Sequence, residues 1–250
     1  MPPAKHMGTR HTRPARIGVV GMGHFVYWPQ FPGLRETLMA KQASFASYFS
    51  PAVEVVDLGY ADDFDSAAVC VKRALASDLD ALFIVMSTYV TSQVAFPFAR
   101  YLRVPQVLVA LQPLEGLDLS RATTRMQLEN DDICSLPEFT GVYERLGAPA
   151  PFLLVDYEGN RERTARRVAV LERAIRAAAA FKYAKFGYLG HTYDGMYDMN
   201  TDPTAFAAAF GAHVKMLEMC ELAARADAVT EAEVQARVGE IRETFDIREP

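Results

Sequence analysis

Side chains able to bind or turn over a small molecule gather where the apolar runs of this sequence stop. After RIGVVGMG (16–23) come His24, Phe25 and Tyr27; after DALFIVM (80–86) come Ser87, Thr88 and Tyr89; PQVLVAL (105–111) ends at Gln112. A later segment, GHTYDGMYDMNTD (190–202), adds His191, Tyr193, Asp194 and Met196. These are hydroxyls, imidazoles, an amide and aromatic faces, with no phosphate cradle and no basic cluster. Such a set suits a neutral polyhydroxylated ligand held between apolar walls by a few directional polar groups. Each residue also has a plainer use. Phe25, Tyr27 and Trp28 would close the floor of a core, His24 would cap a turn, and Gln112 before Pro113 would end a strand.

Other chemistries are weaker on the residues present. A dinucleotide loop needs three glycines opening a helix; Gly21 and Gly23 fit, but the third position is Val26, and Pro29 and Pro32 keep the chain from turning helical before Gly33. Asp57 lies later than the usual ribose-binding acid. In 190–202, the carboxylates Asp194, Asp198 and Asp202 do not follow calcium-loop spacing, and Asp and Asn at a strand–helix junction serve turns and caps. LENDD (128–132) reads as a solvated acidic loop. There is no GxSxG elbow, and Cys134 has no identifiable histidine partner. No complete catalytic set and no metal-ligand set can be assembled.

The elements that would position these groups follow from periodicity. ARIGVVG (15–21), AVEVVDLG (52–59), DALFIVMS (80–87), PQVLVALQ (105–112) and PFLLVDY (151–157) are continuous apolar runs, the pattern of strands covered on both faces. Helical segments are expected at 34–49, 63–77 (capped by Asp63 or Asp65), 91–102 and 137–147. Regular alternation of this kind predicts right-handed βαβ units in a doubly wound parallel sheet, an α/β three-layer fold of flavodoxin-like or Rossmann-like kind. Ligands of such sheets sit beyond the carboxyl ends of the strands. The polar stretch 113–150 follows the fourth strand and reads as a functional excursion. A long helix over 160–181 carries the stripe Val168, Leu171, Ile175, Ala178. Beyond it, a second α/β unit begins, with strands in 185–202 and 213–219, a helix near 203–210, and a last helix at 230–245 opened by a Thr230–Glu233 capping box. The expected organisation is a disordered tail at 1–15 (bearing Lys5, Arg10 and Arg13), an N-terminal domain at 16–157, a connecting helix at 158–182 and the start of a second, incomplete domain at 183–250. Two parallel strands cannot cover both sheet faces, so the second unit calls for another subunit or for a continuation of the chain.

Composition narrows the partners. The net charge is −5, against a nucleic-acid partner, and no run approaches the length of a membrane span. Cys70, Cys134 and Cys220 are odd in number and far apart, so neither a disulfide framework nor a metal site is expected. A cytoplasmic protein is expected.

Taken in order, GVVGMGHFVYWPQFPGL, ALFIVMSTYVTSQV, PQVLVALQPLEGLDL, SLPEFTGVYERLGAP and FGYLGHTYDGMYDMNTDPTAFAAAFGAHVKMLEMCEL resemble the L-fucose and L-arabinose isomerases, particularly the arabinose branch. The similarity runs from about Arg16 to the end of the chain and matches about the first half of a family member. It implies aldose–ketose isomerisation through an enediol, assisted by a divalent metal, usually Mn²⁺, whose ligands and proton-shuttling carboxylate come from the later half of the family's sequence. What carries over is substrate contact, at Gly23, His24, Phe25, Tyr89, Gln112 and Met196. The resemblance also implies a homo-oligomer in which these loops reach an adjacent subunit, or pairing with a separate catalytic half. The family carries a glutamine where this chain has Gly23, and a histidine–glycine pair that 113–137 lacks, so the sugar is left open between pentoses and 6-deoxyhexoses. The alternatives are a non-catalytic sugar-binding or assembly module and, after it, a nucleotide-dependent oxidoreductase.

Overall fold

The computed structural model describes residues 13–247. They form two compact units, 13–180 and 181–247.

In the first unit, five strands are all parallel: β1 (Ala15–Met22), β2 (Val53–Ala61), β3 (Ala81–Met86), β4 (Gln106–Gln112) and β5 (Phe152–Tyr157). Their spatial order is β2-β1-β3-β4-β5, the doubly wound flavodoxin-like arrangement that the sequence predicts. β1, β3 and β4 alternate in a regular pleat, while the pairing of β1 with β2 is shifted by a bulge between the Val19–Asp57 and Gly21–Tyr60 pairs. Ile17, Val19, Phe83, Val85, Val107, Val109 and Leu111 face one layer, made by α1 (Leu34–Ala46) and α6 (Arg161–Lys182). Val20, Met22, Leu82, Ile84, Met86, Leu108 and Ala110 face the other, made by α2 (Phe64–Ala76), α3 (Ala95–Tyr101) and α5 (Leu136–Arg145). Every residue of β3 is buried, which is why its sequence is continuously apolar.

Local signals set several boundaries. Asp63, not Asp65, caps α2: its carboxylate accepts from Ser66 N at 2.7 Å, and Ser66 Oγ accepts from Asp63 N at 3.0 Å. Gly33, at φ +79°, makes the left-handed turn that finally starts α1. A short helix, α4 (Thr124–Glu129), lies inside the polar stretch where no periodicity marks it.

Three expectations are corrected. Residues 13–15 are not tail: Arg13 pairs with Asp80 at 2.9 Å and with Asp78 at 3.1 Å, and Ala15 opens β1; Lys5 and Arg10 lie outside the described residues. The stripe on α6 ends at Ala179 rather than Ala178, one helical turn beyond Ile175. That helix also covers the sheet instead of only connecting, burying Val168 and holding Ser50 N and Oγ with the buried Glu172 at 2.9 and 2.5 Å.

In the second unit, β6 (Lys185–Leu189) and β7 (His213–Leu217) pair in parallel, with α7 (Pro203–Phe210), α8 (Met219–Asp227) and α9 (Glu231–Thr244). Phe181, Phe186, Phe206 and Phe210 stack edge to face and face to face. Even so, Ala212 is the one buried residue among those described here. The capping box on α9 forms as predicted; α8 was not marked by any sequence signal. Among the described residues, no helix is long and apolar enough to cross a membrane.

Candidate functional site

The carboxyl ends of β1 and β3 lie side by side, with Met22 paired to Met86, and the chain leaves them toward opposite layers. This is the switch point where open α/β sheets bind ligands. After Met22 the backbone does not turn into a helix. Gly23 N donates to Ala61 O at 3.0 Å and Phe25 N to Asp62 O at 3.1 Å, so the segment runs on beside the end of β2 before a single 3-10 turn at Phe25–Tyr27. The space next to the two glycines is filled by protein. A Cβ on Gly23 would lie 2.3 Å from Tyr60 Oη and 2.8 Å from the Trp28 ring, and one on Gly21 would lie 2.6 Å from both Gln42 Oε1 and Tyr60 Cδ2. These glycines admit Tyr60, not a pyrophosphate, and the α-helix that follows β1 starts only at Leu34. Asp57 is tied locally, accepting from Gln42 Nε2 at 2.7 Å and Gly59 N at 2.8 Å.

What the switch point presents instead is an aromatic bowl around His24. The imidazole meets Phe25, Tyr27 and Tyr89 edge-on, with ring centroids 5.5, 5.1 and 6.2 Å away. Burial lowers its pKa below the ordinary histidine value, against a smaller opposing pull from Asp62, so at neutral pH it is uncharged, with one donor and one acceptor nitrogen. Tyr89 donates from its hydroxyl to Glu138 Oε1 at 3.0 Å, which fixes the ring and raises the phenol's pKa. Three buried polar atoms have no protein partner here: His24 Nδ1, Thr88 Oγ1 and Thr91 Oγ1. Ser87 is different. Its hydroxyl is spent on Met22 O at 2.5 Å and Tyr60 Oη at 2.7 Å, a bridge between strands β1, β2 and β3.

Of the residues predicted to contact substrate, Gly23, His24, Phe25 and Tyr89 come together. Gln112 sits at the end of β4, but its amide donates to Asn130 O at 2.7 Å, pinning the 113–130 excursion to the sheet; Asn130 Oδ1 in turn accepts from Leu114 N at 2.9 Å. Met196 belongs to the second unit, on an irregular loop, about half exposed. A cavity of about 340 Å³ in that unit is lined by Tyr188, His191, Thr192, Asn200, Thr201 and Met216, without Met196. Asp202 there caps α7, accepting from Thr204 N at 2.8 Å.

The expectation of a solvated loop at 128–132 is overturned. Leu128, Asn130 and Asp132 are buried. Lys41 reaches in from α1, donating to Asp132 Oδ1 and Glu129 O at 2.6 Å each and to Ser87 O at 2.8 Å, and so ties the loop to the end of β3. Reading the sequence also missed Thr91 and Tyr60: both lie outside the first residues after a strand end, the only place where position alone marks a ligand contact.

Among the described residues, no three histidine, cysteine or carboxylate side chains converge as a metal cage. The residues present therefore do not fit the Mn²⁺ that the isomerase resemblance implies, and no chemical step is assigned through it. No family model matches the sequence, and no curated protein matches it. The response regulator domain of Thermotoga maritima CheB is similar in structure at a TM-score of 0.30 and 16% identity, over 66% of this chain and 98% of that one. The class is defined by the strand order itself: the first unit is a three-layer α/β flavodoxin-like domain.

Proposed function

We propose that this chain supplies substrate-contacting walls to an aldose–ketose isomerase of the L-arabinose/L-fucose isomerase type. It works in the cytoplasm as a homo-oligomer or beside a separate catalytic half, with the Mn²⁺ site and the acid–base residues contributed from elsewhere. The observation that carries the reading is His24 at the sheet's switch point, edge-on to Tyr27 and Tyr89 and with its buried Nδ1 unpartnered; Thr88 Oγ1 and Thr91 Oγ1, which follow β3, are buried and unpartnered as well. Buried polar groups are satisfied by something. Here the acceptors and donors are neutral, so the complementary ligand is one with hydroxyl groups and an apolar flank, which describes a sugar. In this reading the first unit binds and orients: His24 and the two threonines grip hydroxyls, while Tyr27 and Tyr89 exclude water from one side. Isomerisation itself, a proton moved between neighbouring carbons, needs groups that this set lacks.

Calorimetry with a panel of pentoses and 6-deoxyhexoses tests the reading. Saturable binding in the millimolar range or tighter is expected, weakened about tenfold by His24→Ala through loss of one buried hydrogen-bond partner. The chain alone is expected to give no turnover of L-arabinose with Mn²⁺; robust turnover would show that the chemistry is misplaced. Binding that persists in His24→Ala would move the sugar off this edge. A module that binds sugar without serving an enzyme is told apart by whether a catalytic half gains turnover when this chain is added.

A further inference from the structure

A small polar cavity lies between α1 and the sheet, and it is charged where the His24 group is neutral. It has a volume of about 110 Å³ and is walled by Phe45, Tyr48, Val85 and Leu111, with Lys41 and Asp132 among its polar lining. Ser44, Glu158 and Arg161, all exposed, form its rim. Asp132 is the anomaly. Its side chain is 1% exposed, Oδ1 is taken by Lys41, and Oδ2 has no hydrogen-bond partner in the protein. Lys41 cannot serve it further, since all three ammonium protons are already directed at Ser87 O, Glu129 O and Asp132 Oδ1. Arg161 is held at the rim, 4.9 Å over the Tyr48 ring and donating to Ser47 Oγ.

We propose that this cavity is a binding site for a small organic ammonium ion, whose N–H group meets Asp132 Oδ2 and whose short apolar body lies against Val85, Leu111 and Phe45. The proposal does not rest on the sugar reading. Size sets the class: an apolar cavity of about 150 Å³ takes benzene, so this one takes about four or five heavy atoms. Charge sets the head group. Burial drives the Asp132 carboxyl up to about 7 although Lys41 pulls it down, so its ionised form, with Oδ2 unpartnered, is left with an under-stabilised negative potential. A cationic donor answers that potential, and hydrogen bonds with an ionised partner are roughly twice as strong as neutral ones. A neutral alcohol of the same shape answers only the missing hydrogen bond.

The test is calorimetric titration of the whole chain with n-propylammonium chloride at constant ionic strength, beside propan-1-ol and beside sodium chloride alone. Propylammonium is expected to bind saturably with a millimolar Kd, in keeping with the ceiling for four heavy atoms. Propan-1-ol is expected to bind at least about tenfold more weakly, in line with the added strength of a charge-assisted bond. Asp132→Asn is expected to abolish binding, but it also strips Lys41 of its counter-ion and so endangers folding. Ser44→Leu avoids that risk: it fills the mouth from an exposed helical position and leaves the Lys41–Asp132 pair intact, with an expected loss of tenfold or more. Amide shifts in the wild-type titration are expected to concentrate on residues 41–48, 85, 111 and 130–133. No saturable binding beyond the salt control, equal binding of propan-1-ol, or binding unchanged in Ser44→Leu would each overturn the site and leave water as its occupant.

Discussion

The two units begin from similar strands and end in opposite states. In the first, LFIVM at the centre of β3 is buried without remainder; in the second, FGYL of β6 is half exposed, and Phe186, Leu189 and Met216 all face solvent. The strand patterns do not differ enough to explain this. What differs is the number of layers: five strands receive helices on both faces, while two strands are too narrow to hold a helix layer on either side. An apolar strand sequence therefore states a demand for cover, and the size of the sheet decides whether the chain itself can meet it.

The largest effect that probes this contrast is a paired truncation of aromatics. Phe83, fully buried against Phe45 and Phe49, is expected to cost about 3–5 kcal/mol as Phe83→Ala. Phe186→Ala, at a site 38% exposed, is expected to cost about 1 kcal/mol, and to be felt only locally. Urea denaturation together with hydrogen exchange resolved by strand measures both. Equal costs would mean that the second unit has a core as good as the first, and the contrast would dissolve.

Next in size is the pair that binds the 130–132 loop to α1. Lys41→Met leaves Asp132 buried without its cation, an expected loss of about 3 kcal/mol, and Lys41→Met with Asp132→Leu should regain most of it, since two apolar groups need no partner. The same carboxyl sets a pH dependence. It faces Lys41 from α1 and, at longer range, Asp131, Glu158 and Tyr60. Its pKa is about 7 when folded, against the ordinary value of 3.8, so between about pH 4 and pH 7 the native state keeps a proton that the unfolded chain has released. Stability contributed by this group therefore falls as pH rises through that window. Asp132→Asn should flatten the limb in a pH series of melting curves; an unchanged slope would assign the dependence to other groups. Among the described residues of the second unit, no titratable side chain is buried.

The sequence made the scaffold legible and the site only partly so, for a physical reason. Strand and helix are written in short periods, so the five strands and most helices of the first unit fall where the apolar patterns put them. Sheet topology then delivers His24, Thr88 and Tyr89 to one edge, because the residues after β1 and β3 must meet there. Position along the chain does not show whether a group is already engaged. Gln112 looks free after its strand and is spent on Asn130; Gly23 looks like a phosphate contact and makes room for Tyr60. Lys41 and Asp132 lie 91 residues apart, a pairing that no local pattern encodes, and LENDD reads as solvated for that reason alone.

The smallest effect is the most discriminating, because it sets the same local device in both units. Asp63 with Ser66 opens α2, and Thr230 with Glu233 opens α9, each a reciprocal capping box. As isolated helix starts they are equivalent. In context they are not: α2 lays Ala67, Cys70, Val71 and Ala74 into the core of the sheet, while α9 buries nothing. Losing the cap on α2 thus releases a helix that the whole sheet depends on, and Asp63→Ala is expected to lower global stability by about 1 kcal/mol. Thr230→Ala is expected to leave the main unfolding transition where it is and to speed exchange only at the amides of the first turn of α9. If Thr230→Ala shifts the main transition as far as Asp63→Ala does, α9 folds cooperatively with the rest of the protein, and the apolar surface of the second unit is covered in solution.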